Sequence, residues 1–303
     1  MKQLKSQKIG LLIVISCGAM WGLSGIMGQL LFQISNVPVA WLSSIRMLLS
    51  GVVILSMLAI KKDTSIFTIW KSKKDVLTLL IFSILGVMAV QYTYFAAIAE
   101  SNAATATVLQ YTYPVLILLY TAISTRKFPS LYEIIAIIFA VLGVVLIATH
   151  GNVHSLSISN MALFLGLLSA LSFVFYTVFP QKLYQKFSVT SIMGWAFLIA
   201  GLVLFFTTKS YHVSITFTAP AIILTLAISI VGTLIPFLIY GFGVQILGNV
   251  KASLFVTVEP IFSALMAFFF LNISFTKVDI VGFICIIGAV WITAFQTLKK
   301  ENS

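Results

Sequence analysis

Charged residues are scarce in this chain. They make up 8% of its 303 residues, and only seven are acidic, whereas roughly 25% of residues are charged in soluble domains. Hydrophobic residues make up 60% of the chain. So few charges cannot cover the surface of a soluble domain of this size. The composition therefore excludes an ordinary soluble globular protein and indicates an integral membrane protein.

Cysteine is rare, and the familiar catalytic motifs are missing. Cys17 and Cys285 both fall in apolar stretches, so no disulfide framework is predicted. No phosphate-binding loop, His-Glu-x-x-His or Gly-x-Ser-x-Gly motif occurs, which argues against nucleotide-driven pumping and hydrolysis. His150 and His154 lie four residues apart but without a supporting glutamate. We therefore expect no metal site, no cofactor and no enzymatic activity.

Apolar runs divide the chain into ten predicted membrane spans. Their lengths are close to or above the roughly 20 residues with which a helix crosses a bilayer. Backbone groups in lipid must be satisfied within the segment, so each span should be an α-helix. The predicted spans are Ile9–Phe32, Pro38–Ile60, Asp75–Ile98, Asn102–Ser124, Leu131–Thr149, Ile158–Gln181, Thr190–Thr208, Pro220–Leu247, Val250–Leu271 and Val278–Thr297.

Lysine and arginine are distributed unevenly between the predicted loops. With the N-terminus in the cytoplasm, two of the 18 basic residues, Lys209 and Lys277, face the opposite side and Arg46 lies within a span, which leaves 15 on the cytoplasmic side. Cytoplasmic loops carry an excess of lysine and arginine. Both termini are therefore predicted to be cytoplasmic, in the plasma membrane of a prokaryote. The net charge of +11 then reflects topology and contact with anionic lipid, not nucleic-acid binding.

This topology predicts that Asn36 and Ser72 lie on opposite sides of the membrane. A membrane-impermeant thiol reagent, applied to intact cells in a background without the native cysteines, should label Asn36→Cys and leave Ser72→Cys unlabelled until the cells are opened. Labelling of both variants from outside would contradict the topology.

The chain carries a weak internal repeat. A shift of 146 residues superimposes four pairs of like residues: Tyr94 and Tyr240, Gly86 and Gly232, Ala106 and Ala252, and Pro114 and Pro260. The halves 1–150 and 151–303 each contain five predicted spans. Because five is odd, the second half must be inverted in the membrane relative to the first. Inverted repeats are typical of secondary transporters, whose solute site lies between the halves near the midplane.

Several segments resemble a known family of membrane proteins. Pro38–Arg46 is similar to the second span of that family, Ala103–Ala106 with Tyr113–Val115 to the fourth, Val258–Leu265 to the ninth, and Gly282 with Gly288–Val290 to the tenth. On these residues the chain resembles the EamA-type branch of the drug/metabolite transporter superfamily, over essentially its whole length. The resemblance implies an all-α membrane protein of ten helices in two inverted five-helix repeats, and a carrier of small metabolites, commonly an exporter.

Glu259 and Arg46 are the charged residues that lie deepest in the predicted spans. Glu259 lies about 14 Å into its span and Arg46 about 12 Å from the outer end of its own, at 1.5 Å per residue. Ionisable groups at such depth are costly and usually functional. Glu259 suits proton coupling, or else it braces backbone loosened by Pro260. Arg46 could clamp a carboxylate or phosphate of the solute, neutralise Glu259, or bond to carbonyl groups at the end of a helix.

Other candidate residues are polar or aromatic. The fourth span has a polar face, Thr107, Gln110, Tyr111 and Pro114, that lines a cavity or bonds neighbouring helices. Tyr113 precedes Pro114 as Glu259 precedes Pro260, and both prolines are candidate helix breaks. Five aromatic residues could line a pocket for a cationic or planar solute. Packing in the protein core, or a belt at the membrane interface, would explain them equally well. These residues are Trp21, Tyr92, Tyr94, Tyr176 and Tyr240. Four glycines of the first span permit close helix packing or form a hinge: Gly18, Gly22, Gly25 and Gly28.

These observations together predict a secondary transporter that works by alternating access. The expected cargo is a small metabolite, amino-acid-like or drug-like, exported with or without proton coupling. The alternatives are an uncoupled channel or facilitator and an intramembrane enzyme. The expected partners are the small-molecule solute and membrane lipid, with no nucleic acid, and the protein is either a monomer or a homodimer.

Overall fold

Ten apolar helices make up most of the computed structural model, which describes residues 2–126, 128–152, 157–247, 252 and 255–301. We number them α1 to α10: Lys2–Ile34, Val39–Ile60, Lys73–Glu100, Ala103–Thr125, Leu131–Thr149, Asn160–Tyr184, Val189–Thr207, Ala219–Leu247, Val258–Leu271 and Lys277–Glu301. Nine of these described helices are long and apolar enough to cross a membrane, and α9 is shorter. The all-α, ten-helix prediction is confirmed. The predicted start of the ninth span at Val250, and His154, lie outside the described residues.

The two five-helix halves are interlocked. Helix α1 packs most extensively against α8 and α9 of the other half, and α6, its counterpart, packs against α3 and α4. The equivalent helices α2 and α7 pack against each other, and so do α5 and α10. Because α1 and α6 each pack against the opposite half, the two halves meet at α1, α3, α4, α8 and α9.

The caps between the fourth and fifth helices of each half repeat at the same shift of 146 residues. Arg126 and Asn272 both end their helix in the left-handed region, at φ 53° and 52°. A reciprocal cap then starts the next helix. The Glu133 carboxylate accepts from the Ser130 backbone N–H at 2.6 Å, and the Asp279 carboxylate accepts from the Thr276 N–H at 2.8 Å. These local signals match although the residue types differ, so the repeat extends well beyond the pairs of like residues.

A second repeated feature lies within α3 and α8. Residues Phe82–Met88 and Ile230–Leu234 are wound as π-helix, and both stretches contain the glycine of a superimposed pair. The wider winding disturbs the regular ladder of backbone hydrogen bonds, and such turns are frequent at functional sites. The structure therefore marks one place in each half, at matching positions, where a spanning helix departs from regular geometry.

Glycines allow the paired helices to approach closely. A Cβ atom built on Gly51 of α2 would lie 2.5 Å from the Leu198 backbone nitrogen of α7. At the other pair, a Cβ on Gly143 of α5 would lie 2.8 Å from the Gly282 carbonyl oxygen of α10. Small residues serve this purpose in lipid, where helix association depends on close van der Waals packing.

Candidate solute and coupling site

Helix α4 is broken near its middle. It consists of Ala103–Gln110 and Tyr113–Thr125, separated by a turn at Tyr111 and Thr112. Pro114 lies in the first turn of the second segment. Proline is well suited to that position, because the N–H that it lacks would have no partner in the helix and its fixed φ fits the first turn. The break therefore precedes the proline and places two tyrosines at the interruption.

A comparable turn lies immediately before helix α9. A turn at Val256 and Thr257 precedes Val258–Leu271, and Glu259 and Pro260 fall in the first turn of that helix. The exposed N–H groups and dipole of a helix N-terminus favour negative charge. The two turns fall within one residue of each other under the shift of 146, and α4 and α9 pack against each other across the two halves.

The carboxyl group of Glu259 lies where α1, α4 and α9 meet. The Tyr111 hydroxyl contacts Glu259 Oε2 at 2.9 Å and the Val256 carbonyl oxygen at 3.0 Å, and Glu259 is only 7% exposed. Two glycines of α1 lie against the same residue. A Cβ atom built on Gly22 would lie 3.0 Å from the Glu259 carbonyl oxygen, and one built on Gly18 would lie 3.3 Å from the Glu259 backbone nitrogen. These two glycines thus let α1 pack closely against the backbone of Glu259.

Arg46 does not form an ion pair with Glu259 in the described part of the chain. Its Nε atom donates to the Thr233 hydroxyl at 2.8 Å, and its guanidinium carbon lies 4.4 Å from the centre of the Phe95 ring. The side chain is buried, and its Nη1 atom has no hydrogen-bond partner among the described residues. Sequence reasoning missed Thr233, although it follows directly on Gly232 of a superimposed pair.

Two pairs of aromatic rings involve the helices that meet at Glu259. Trp21 lies 5.4 Å from Tyr240, ring centre to ring centre, and Tyr113 lies 4.3 Å from Phe173 of α6. The ring of Tyr113 also lies 5.8 Å from that of Tyr111, whose hydroxyl contacts Glu259. These rings line the junction between the halves.

The remaining polar candidates of α4 bond to neighbouring helices. Gln110 Nε2 donates to the Ser169 hydroxyl of α6 at 2.6 Å. The hydroxyls of Thr107 and Tyr94 lie 2.8 Å apart, and both side chains are buried. In this conformation, then, Thr107 and Gln110 connect helices within the interior.

An interlocked inverted repeat, with two facing helix breaks and a buried carboxyl group between them, defines a secondary-transporter architecture. A model of the EamA-like transporter family matches residues 8–149 and 160–295. The chain therefore belongs to the EamA-like transporter family, within the drug/metabolite transporter superfamily.

Two relatives and one solved structure are similar to this chain. The uncharacterized inner membrane transporter YicL of Salmonella typhimurium is 35% identical over 98% of this chain and 99% of its own length. The uncharacterized transporter YetK of Bacillus subtilis is 24% identical over 93% of this chain and 85% of its own length. A protein of known crystal structure matches with a TM-score of 0.63 at 14% identity, covering 95% of this chain and 98% of the other, which shows the fold alone.

Proposed function

We propose that this protein exports small amine-bearing solutes, amino-acid-like or drug-like, from the cytoplasm by alternating access, in exchange for protons that bind Glu259. The observation that carries the proposal is the environment of that carboxyl group. Glu259 is buried at the junction of the halves, and its carboxyl group contacts a neutral hydroxyl, that of Tyr111, in the described structure. It is also the one acidic residue deep within a span.

A buried carboxylate needs a counter-charge, because an unpaired ion in a medium of low dielectric is costly. None of the ion pairs found among the described residues involves Glu259. A proton and the ammonium group of a solute can each supply the missing positive charge, and the carboxylate binds one or the other. Because proton and solute compete for the same group, inward movement of protons would be coupled to outward movement of solute. Across a membrane whose proton gradient points inward, the exchange drives the solute outward.

The aromatic surroundings support a cationic solute. Trp21 and Tyr240 on one side and Tyr113 on the other are partly exposed, unlike the fully packed core. Ring faces attract ammonium groups by about 0.5–2 kcal/mol, more where water is excluded. A solute that offers an ammonium group and an apolar body would therefore contact both Glu259 and these rings.

The facing helix breaks support alternating access. The turn at Tyr111–Thr112 lies within α4 and the turn at Val256–Thr257 lies immediately before α9, at positions that correspond to within one residue in the two halves. Their backbone can change direction without breaking a continuous helical ladder, so each half could rock about its own break while the carboxyl group stays between them. An uncoupled channel would need no such paired arrangement.

Reconstituted transport tests this proposal. We expect proteoliposomes loaded with a mixture of the common amino acids and small amines to release a subset of them when the outside is acidified. The same subset should show saturable counterflow, in which unlabelled solute on one side accelerates entry of labelled solute from the other. Non-saturating flux without counterflow would instead support a channel, and the absence of any flux for amine-bearing solutes would contradict the proposed cargo.

A further inference from the structure

We propose that Arg46, together with the π-helical stretch of α8, forms a binding site for a small monovalent anion: either the carboxylate of a carried solute or an inorganic anion such as chloride. The site itself does not depend on the proposed export of amines, and only its occupation by a solute carboxylate rests on that function.

The first argument concerns charge. Arg46 is 3% exposed, and in the described structure its side chain bonds the neutral hydroxyl of Thr233 and lies over the ring of Phe95. A buried guanidinium group without a counter-ion costs several kcal/mol. The one acidic side chain deep within a span, Glu259, bonds Tyr111 and not Arg46. A bound anion would supply the negative charge that the surrounding side chains do not.

The second argument concerns hydrogen-bond donors without partners. Arg46 Nη1, the Ser24 hydroxyl and Trp21 Nε1 are buried, and no acceptor contacts them in the described structure. Buried polar atoms in native proteins nearly always have a partner, so each exception calls for an explanation. The guanidinium and indole groups can only donate. An acceptor-only ligand, which an anion is, fits such a set of donors.

The third argument concerns position. Arg46 reaches the π-helical stretch from α2 and bonds Thr233, while Ser24 reaches it from α1 and packs against Gly232, the preceding residue. A Cβ on Gly232 would overlap the Ser24 hydroxyl, so only glycine allows this approach. Two of the unpartnered donors therefore converge on consecutive residues of one irregular turn. This turn belongs to α8, which packs against α1 at the junction of the halves.

Anion-dependent thermal stability tests the site without any transport assay. The purified full-length protein would be melted while sodium gluconate, a bulky anion, is replaced at constant ionic strength by sodium chloride in one series and by sodium acetate in another. A ligand that binds the folded state raises its stability with saturation. We expect at least one of the two small anions to raise the melting midpoint saturably, by about 2–4 °C at ten times its dissociation constant.

Matched variants assign the effect to this site. Thr225 and Thr233 are both buried on α8 and both donate to a carbonyl of their own helix, but only Thr233 also accepts from Arg46. Thr233→Val and Arg46→Gln should raise the half-saturating anion concentration by about tenfold or more, equivalent to about 1.4 kcal/mol, whereas Thr225→Val should leave it unchanged. Thr233→Val keeps the test decisive if Arg46→Gln does not fold.

The pattern of outcomes separates the two sources of the anion. Stabilisation by acetate alone would assign a carboxylate site, and stabilisation by chloride alone would assign an inorganic-anion site. Stabilisation by both would assign a site for small monovalent anions in general. The proposal is overturned if neither anion stabilises the wild-type protein saturably, or if the stabilisation survives in both Arg46→Gln and Thr233→Val.

Discussion

Replacing Glu259 by glutamine should abolish solute accumulation driven by a pH gradient and strongly weaken solute exchange, because the carboxylate that would contact the ammonium group of the solute is lost. A glutamine resembles the protonated carboxyl group in shape and can still contact the Tyr111 hydroxyl, which lies 2.9 Å from Glu259 Oε2. It cannot release a proton. A gradient of one pH unit corresponds to about 1.4 kcal/mol, so one-for-one exchange supports about tenfold accumulation in the wild-type protein. The variant should show no accumulation above equilibration.

The measurement is uptake into proteoliposomes with an imposed pH gradient, beside counterflow without one. Glu100→Gln is the matched control, because it makes the same chemical change on an exposed carboxyl group at the end of α3. A melting curve for each variant separates coupling from structure. If Glu259→Gln is stable and still accumulates solute normally, Glu259 does not carry the proton. A loss of stability with unchanged pH dependence would make it a structural brace.

Replacing Gly51 by alanine should destabilise the protein strongly, even though alanine is the better helix former. The added Cβ would lie 2.5 Å from the Leu198 nitrogen and 2.8 Å from its Cα atom. Both are backbone atoms, which cannot rotate away as the end of a side chain could, so α2 and α7 would have to separate. Overpacking of this kind typically costs about 1–3 kcal/mol, more than the roughly 1 kcal/mol by which alanine favours a helix over glycine.

Gly241 provides the matched control for this substitution. It lies within α8, and beyond its own turn of helix no atom of the described residues comes within 4 Å of a Cβ built on it. Gly241→Ala should therefore melt at or slightly above the wild-type temperature, because only the helix preference changes. Equal melting temperatures for the two alanine variants in detergent would show that the close contact between α2 and α7 does not limit stability.

The spans could be predicted from sequence because hydropathy and backbone hydrogen bonding act locally. A run of apolar residues long enough for the bilayer has essentially one way to satisfy its backbone. The predicted Leu131–Thr149 agrees with α5 residue for residue, since Ser130 and Glu133 form a cap within the sequence itself. Where such local signals exist, the boundaries follow from the residues alone.

The contacts of the candidate site could not be predicted, because they join distant parts of the chain. Tyr111 and Glu259 are 148 residues apart, and Arg46 and Thr233 are 187 apart. Neither a residue type nor a helical period identifies such partners before the helices pack. Pro114 and Pro260 did indicate the region of the breaks, but the turns precede them, since proline at the start of a helix is favourable and in its interior is not.

The interlocking of α1 with α8 and α9 also governs the order in which the protein can be assembled. During synthesis α1 leaves the ribosome well before α8 and α9, the helices against which it packs most extensively. Until then its glycine-lined side faces lipid or transient neighbours. The first five helices therefore cannot complete their own tertiary structure as an independent unit. Folding of the first half must wait for insertion of the second, so a stall in synthesis after α5 would leave an intermediate exposed to membrane proteases.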